Sequence, residues 1–260
     1  MQLVCLHDKT EIERFLRKNA DLHIYSLGDL DEFFWPYTMW YASRAGGELR
    51  AVALLYVAQR LPTLLALSDQ GRDMHELLEA VLHLLPPRFY AHLSPGLESV
   101  FGRAYKLDSH GAHYKMALRG PHAVAGHDVS GVVPLGEQDL EDLLDFYQRN
   151  YPGNWFDPRM LETNQYFGIR EAGQLVSVAG IHVYSPQYGV AALGNVATHA
   201  SYRGKGLGTR VTARVCQSLL EDVEHVGANV KADNGPAISC YRRLGFEIVA
   251  SYGEFMVERT

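Results

Sequence analysis

The chain has 260 residues, 47% of them hydrophobic, and a formal net charge of −6 from 24 Lys and Arg against 30 Asp and Glu. That length allows one large domain or two of ordinary size, and interspersed charge without a basic run argues against a nucleic-acid surface. Cys5, Cys216 and Cys240 are scattered without metal-ligand spacing and read as buried thiols in a reducing compartment, with no metal expected.

The longest apolar run, 51–58, is far short of the ~20 residues that span a bilayer, and the opening residues lack the basic and apolar regions of a signal peptide. The expected location is cytoplasmic, away from membranes. In chain order, residues 3–6 read as a strand. A helix over 10–20 follows, with Thr10 and Glu13 as a capping box and Ile12, Phe15 and Leu16 on one face. Residues 22–34 read as a second helical segment, ended before Pro36. The aromatic group Phe33, Phe34, Trp35, Tyr37 and Trp40 reads as core or contact between halves rather than as a pocket wall. Strands at 39–43 and 49–57 join at Gly46-Gly47. A strand at 64–67, a helix at 74–85 closed by Pro86-Pro87, a strand at 89–93, a short helix at 97–105 and a strand at 114–118 follow.

Residues 120–131, with Pro121 and Gly126 and few large apolar side chains, read as a linker. The same order then returns. A strand at 131–135 precedes a helix at 137–150 with Leu140, Leu143, Leu144 and Tyr147 coreward, and a short helix at 158–163. Strands at 165–170 and 175–184 form a hairpin through Ala172-Gly173. A strand at 190–198, a helix at 207–223, a strand at 228–231, a helix at 236–244 and a final strand or pair at 246–257 complete the chain.

The repeat extends to single residues. Arg44, Gly47, Leu49 and Val52-Ala53 align with Arg170, Gly173, Leu175 and Val178-Ala179, and with small shifts Ser94 falls opposite Asn234 and Phe101 opposite Tyr241. The chain thus reads as two related halves, 1–120 and 131–260, joined by 121–130. One domain with a coincidental hairpin match is the alternative.

Only the second half has Arg203-Gly204-Lys205-Gly206-Leu207-Gly208-Thr209, set between a strand and a helix; the first offers Gln70-Gly71-Arg72. Glycines at a helix start let a phosphate approach unpaired N–H groups and the positive end of the helix dipole, and two cations stand beside them. The spacing fits neither a P-loop nor a dinucleotide fingerprint. A plain strand-to-helix connection is the other reading.

Arg203-x-x-Gly206-x-Gly208 resembles the pyrophosphate-binding signature of the GNAT acyltransferase superfamily, and Asn234-x-x-Ala237-x-x-x-Tyr241-x-x-x-Gly245-Phe246 is similar to its second signature. The resemblance runs from about Gly131 onward, and only faintly through the first half. It implies an α/β fold of two GNAT-like halves, each a mixed, mostly antiparallel sheet flanked by helices. The second would have a splayed strand pair and bind acetyl-CoA as acyl donor, and the first would be degenerate.

The resemblance further implies that the backbone of Asn195, Val196, Ala197 and Thr198, freed by a bulge at Gly194-Asn195, takes the thioester carbonyl and the pantetheine arm. Arg203, Gly204, Lys205, Gly206, Leu207, Gly208 and Thr209 would hold the pyrophosphate. Tyr241 would be the general acid for the leaving thiolate, or else a core tyrosine beside Phe246, and Asn234 a pantetheine ligand, a helix N-cap, or both. His182 is the candidate base, with His199, Glu162 and Glu171 as lesser ones. The loop from Tyr151 to Phe156 is a candidate wall of the acceptor pocket. The expected acceptor is a primary amine of a small molecule or peptide, and the protein a monomer or homodimer. A non-catalytic acyl-CoA sensor is the alternative.

Overall fold

The computed structural model describes residues 2–58, 60–102 and 104–260. Met1 and Arg103, the latter within the helix expected at 97–105, lie outside them. In chain order the elements are β1 (Gln2–Leu6), α1 (Lys9–Leu16), α2 (Ile24–Gly28), β2 (Thr38–Ala45), β3 (Glu48–Tyr56), β4 (Thr63–Ala66), α3 (Gly71–Val81), β5 (Arg88–Leu93) and β6 (Tyr105–Leu118). They continue with α4 (Pro121–Ala125), β7 (Val132–Pro134), α5 (Leu140–Asn150), β8 (Phe167–Glu171), β9 (Gln174–Ser185), β10 (Val190–Thr198), α6 (Leu207–Leu219), β11 (His225–Lys231), α7 (Gly235–Arg243) and β12 (Phe246–Arg259).

The chain forms two compact units. The first takes residues through Lys115, Lys231–Asp233 and Val249–Thr260; the second takes Met116–Val230 and Asn234–Ile248. This division departs from the boundary read in the sequence. The last twelve residues complete the first unit, and the expected linker carries α4, whose start Pro121 favours.

In the first unit the strand order is β1-β2-β3-β4-β5-β12-β6, with β6 contributing its residues 105–115. β4 and β5 run parallel, paired from Thr63↔Tyr90 to Ala66↔Leu93. Leu64, Leu77, Phe89, Phe101 and Val257 are fully buried in one core. The α1 cap differs from expectation: Asp8 accepts from Glu11 N at 3.1 Å, while Glu13 pairs with Arg17 at 2.7 Å instead of reaching back. The second helical segment is short because the Asp31 carboxylate takes the Phe33 N–H, an Asx turn that competes with the helix. Trp40 is buried and stacks on Trp35, but Phe33 and Tyr37 are exposed, so the aromatic group is only partly core. Cys5 is exposed too; of the three thiols only Cys216 is fully buried.

In the second unit the order is β11-β10-β9-β8-β7. Leu207, Val211, Val215, Cys216 and Leu219 make the buried stripe of α6. On α5 the stripe is Leu143, Phe146 and Tyr147, and Leu144 is exposed, a rotation of about one position from the expected phase.

The sequence repeat has a structural counterpart inside each unit. Arg44 donates to Gly47 O at 3.2 Å and pairs with Glu11; Arg170 donates to Gly173 O at 2.9 Å and pairs with Asp139 and Asp142. Each arginine ties a hairpin-turn glycine to an acidic residue at the start of a helix of the same unit, α1 or α5.

Candidate active site

The site grows from a defect in β10. This strand pairs parallel with β11 from Val190↔His225 to Leu193↔Ala228, where the pairing of the described residues ends, although β10 runs on to Thr198 and β11 to Lys231. On its other side β10 pairs Gly194 with Gly180 and then Ala197 with Val178, so it holds one extra residue. This is the bulge expected at Gly194-Asn195. Asn195 adopts φ +54° while 3% exposed, and a buried non-glycine residue in the left-handed region needs its surroundings to hold it there.

Three side chains do so. Tyr147 of α5 donates to Asn195 O at 2.8 Å. The Asn195 amide nitrogen donates to the Tyr166 hydroxyl at 2.8 Å, and its oxygen faces His182 Nε2 at 3.2 Å. The Tyr166 hydroxyl donates in turn to Ile181 O at 2.9 Å. Burial raises the pKa of both tyrosines, so they remain hydrogen-bond donors across the physiological range. The two interior glycines of this strand pair make room: an ideal Cβ on Gly180 would lie 2.3 Å from Tyr166 Cε1. Tyr147 and Tyr166 were missed as site residues in the sequence. The signal available was the isolated glycines at 180 and 194, which in a strand mark a bulge or a close approach.

The glycine turn follows β10. His199 caps a short 3-10 turn, its Nδ1 accepting from Ser201 N at 3.2 Å, which gives it a structural task. Arg203 Nε returns to Thr198 O at 3.1 Å. Gly204 and Gly206 both lie in the left-handed region, at φ +76° and +79°, and nothing stands within 4 Å of where their Cβ atoms would be. Gly206 is the N-cap of α6. The turn therefore presents bare backbone at a helix start, with Lys205 stacked over Tyr202 beside it. Gly208 is packed instead: a Cβ there would meet Thr198 Oγ1 at 3.3 Å.

Thr209 Oγ1 meets Cys240 Sγ at 3.4 Å and so joins α6 to α7. Asn234 caps α7 by accepting from Ala237 N at 3.2 Å. Tyr241 is buried on α7, 5.6 Å from Phe246, and desolvation, with the neighbouring thiols and Tyr151 adding, raises its pKa well above the ordinary phenol value. Tyr151 and Trp155 lie on an exposed loop, and Glu162 and Glu171 are exposed. No group of His, Cys, Asp or Glu able to hold a metal, and no helix long and apolar enough to cross a membrane, occurs among the described residues.

A parallel pair that ends at a bulge, then a left-handed glycine turn opening a helix, lies within residues 137–246, which match the model of the acetyltransferase (GNAT) family. Residues 137–246 carry a GNAT domain. The sheet of the GNAT domain has the expected mixed, mostly antiparallel form and the expected splay. Over its full length the chain resembles the tandem GNAT protein from the clavulanic acid biosynthesis pathway, with TM-score 0.55 and 16% identity, covering 99% of this chain and 98% of that one. It also resembles a Drosophila protein, with TM-score 0.72 and 13% identity, covering 98% and 97%. At these identities the likeness concerns fold. Among curated sequences the chain is 31% identical over 126 residues to the mycothiol acetyltransferase of Corynebacterium aurimucosum, 45% of this chain and 38% of that protein. A stretch of 48 residues is 48% identical to the mycothiol acetyltransferase of Corynebacterium jeikeium, 18% of this chain and 14% of that one. The chain thus aligns with well under half the length of these relatives.

Proposed function

We propose that the second unit transfers an acetyl group from acetyl-CoA to a primary amine by direct attack in a ternary complex. The observation that carries this reading is the end of the β10–β11 pairing at Leu193↔Ala228, with the Asn195 bulge just beyond it and the open turn at Gly204 and Gly206 after that. A splayed strand pair offers main-chain groups to the pantetheine arm as an added strand would, and the bare helix start takes the pyrophosphate.

In the reaction the amine nitrogen bonds to the thioester carbon, the carbonyl oxygen gains charge, and the carbon–sulfur bond then breaks. A backbone N–H of the bulge, in 195–198, stabilises the oxyanion. The departing thiolate takes its proton from Tyr241, whose burial keeps the phenol protonated until that moment. His182 accepts the proton that the amine loses. The Tyr241 proton is restored from solvent. The acceptor is a small-molecule or peptide amine. The mycothiol acetyltransferases contribute the reaction class to this proposal and not their acceptor. Among the described residues the first unit shows no counterpart of the splay: β4 and β5 stay paired to Ala66↔Leu93, and Ser94 N then donates to Ala66 O at 3.1 Å. It would therefore support the second without binding a donor of its own.

Calorimetric titration with acetyl-CoA, followed by measurement of free thiol released with a panel of amines, tests the proposal. Micromolar binding and amine-dependent thiol release are expected. Binding without release for every amine would favour an acyl-CoA sensor, and no binding would remove both readings.

A further inference from the structure

Asn195 and Tyr166 fix which nitrogen of His182 carries the ring proton. Tyr166 has one hydroxyl proton, and Ile181 O at 2.9 Å is a stronger acceptor for it than the Met160 thioether at 3.2 Å. The phenol oxygen is therefore the acceptor in its contact with Asn195, and the Asn195 group facing it at 2.8 Å must be the NH2. The amide oxygen is thereby turned to His182 Nε2, at 3.2 Å, and an oxygen there requires an N–H. The neutral ring then has its basic lone pair on Nδ1.

Contacts on both sides hold these atoms in place. The His182 ring lies directly against Gly194, whose Cβ would fall 2.4 Å from Cγ, and the Tyr166 ring lies against Gly180 in the same way. The neighbouring carbonyl of Asn195 is held by Tyr147, so one residue ties the conformation of the bulge to the orientation of the imidazole. Burial of Tyr166, which raises its pKa, keeps the first proton of the chain in place.

We propose that Asn195 and Tyr166 are positioning residues that hold His182 as its Nε2–H tautomer, so that Nδ1 is the atom that takes the amine proton. The catalytic part of this statement rests on the acetyl-transfer reading; the tautomer does not. The proton moves from the attacking nitrogen to Nδ1 as the carbon–nitrogen bond forms, and the imidazolium then releases it to solvent.

The test is long-range proton–nitrogen NMR on protein labelled with 15N-histidine, with His182 assigned by its loss in His182→Gln, above the pH at which the ring is charged. The wild type should show Nε2–H. Tyr166→Phe keeps the ring that packs on Gly180 and removes the hydroxyl. Asn195→Gly keeps access to positive φ and removes the amide. Both should give mixed tautomers and lower kcat by about ten-fold or more with the KM for acetyl-CoA unchanged, as misorientation of a base does. Bound acetyl-CoA in calorimetry confirms that each variant is folded.

Wild-type His182 protonated at Nδ1, or a pure Nε2–H form persisting in both variants, overturns the proposal whatever the turnover. The expected tautomers in a protein that releases no thiol uphold the positioning role and remove the acetyl-transfer reading, so the two failures are distinguishable.

Discussion

The imidazole of His182 occupies the place where a side chain on Gly194 would begin: an ideal Cβ at 194 lies 2.2 Å from His182 Cδ2. Gly194→Ala must therefore push the ring aside or move β10. Overpacking of this kind costs about 1–3 kcal/mol. The expected result is a variant that still binds acetyl-CoA but has kcat lowered by about ten-fold or more. Comparison of kcat and acetyl-CoA affinity in the two proteins checks this, and an unchanged kcat would separate the ring position from the reaction.

Tyr241→Phe removes one oxygen from a buried position and leaves the ring beside Phe246. As loss of a general acid, it should lower kcat by about two or more decades with acetyl-CoA binding nearly unchanged. Steady-state kinetics with calorimetry decides the matter. Equal turnover would make Tyr241 a packing residue.

Gly206→Val acts in two ways. At φ +79° a β-branched residue is strained, and its side chain would stand in the open space above the helix start. Acetyl-CoA affinity should fall by about a hundred-fold or more, and the thermal midpoint should drop by a few degrees from the backbone strain alone, about 1–3 kcal/mol, since no neighbour within 4 Å is displaced. Retention of wild-type affinity would move the pyrophosphate elsewhere.

His23, in the first unit, predicts an acid limb of stability. Burial lowers its pKa to about 4 from 6.5, with Lys115 adding to the shift and Asp69 opposing it. The folded protein keeps the ring neutral where the unfolded chain takes up a proton, so the unfolded state binds more protons between pH 6.5 and 4. The contribution is fully present above pH 6.5 and is lost as pH falls through that window, by about 3 kcal/mol. In urea titrations from pH 7 to 4, His23→Gln should lose correspondingly less stability than the wild type. Parallel curves would assign the acid sensitivity to other groups.

Much of this is legible in the sequence, for local reasons. The hairpins at Gly46-Gly47 and Ala172-Gly173 declare themselves through their glycines, which take positive φ without cost, and Arg44 and Arg170 mark the same turn chemistry in both halves. The bulge was visible as a glycine and an asparagine inside an apolar strand. What was hidden depended on contacts between distant residues. Nothing in the sequence around Tyr147 or Tyr166 says that each will reach Asn195, 48 and 29 residues away. Nor does the sequence around Lys115 announce a buried ammonium lying over the rings of Tyr25 and Tyr252, its pKa lowered to about 7 by desolvation, with Asp29 raised to about 8 in the same unit. A capping box and a helix phase went astray for a smaller reason, since Asp8 and Phe146 each offered a competing local solution one or two residues away.

The membership of Val249–Thr260 in the first unit bears on how the chain comes to be folded. During synthesis the first unit waits for its last strand until the whole second unit has been made, with β5 lacking the neighbour it pairs with from Leu93↔Gly253 to Arg88↔Glu258. An unpaired strand edge is a template for wrong partners, so the interval on the ribosome is when this protein is most exposed to misassembly. A gene cut after the first half would encode that interval as a permanent state, whereas cutting before Val249 would remove the strand that lies between β5 and β6 while leaving the GNAT motifs untouched.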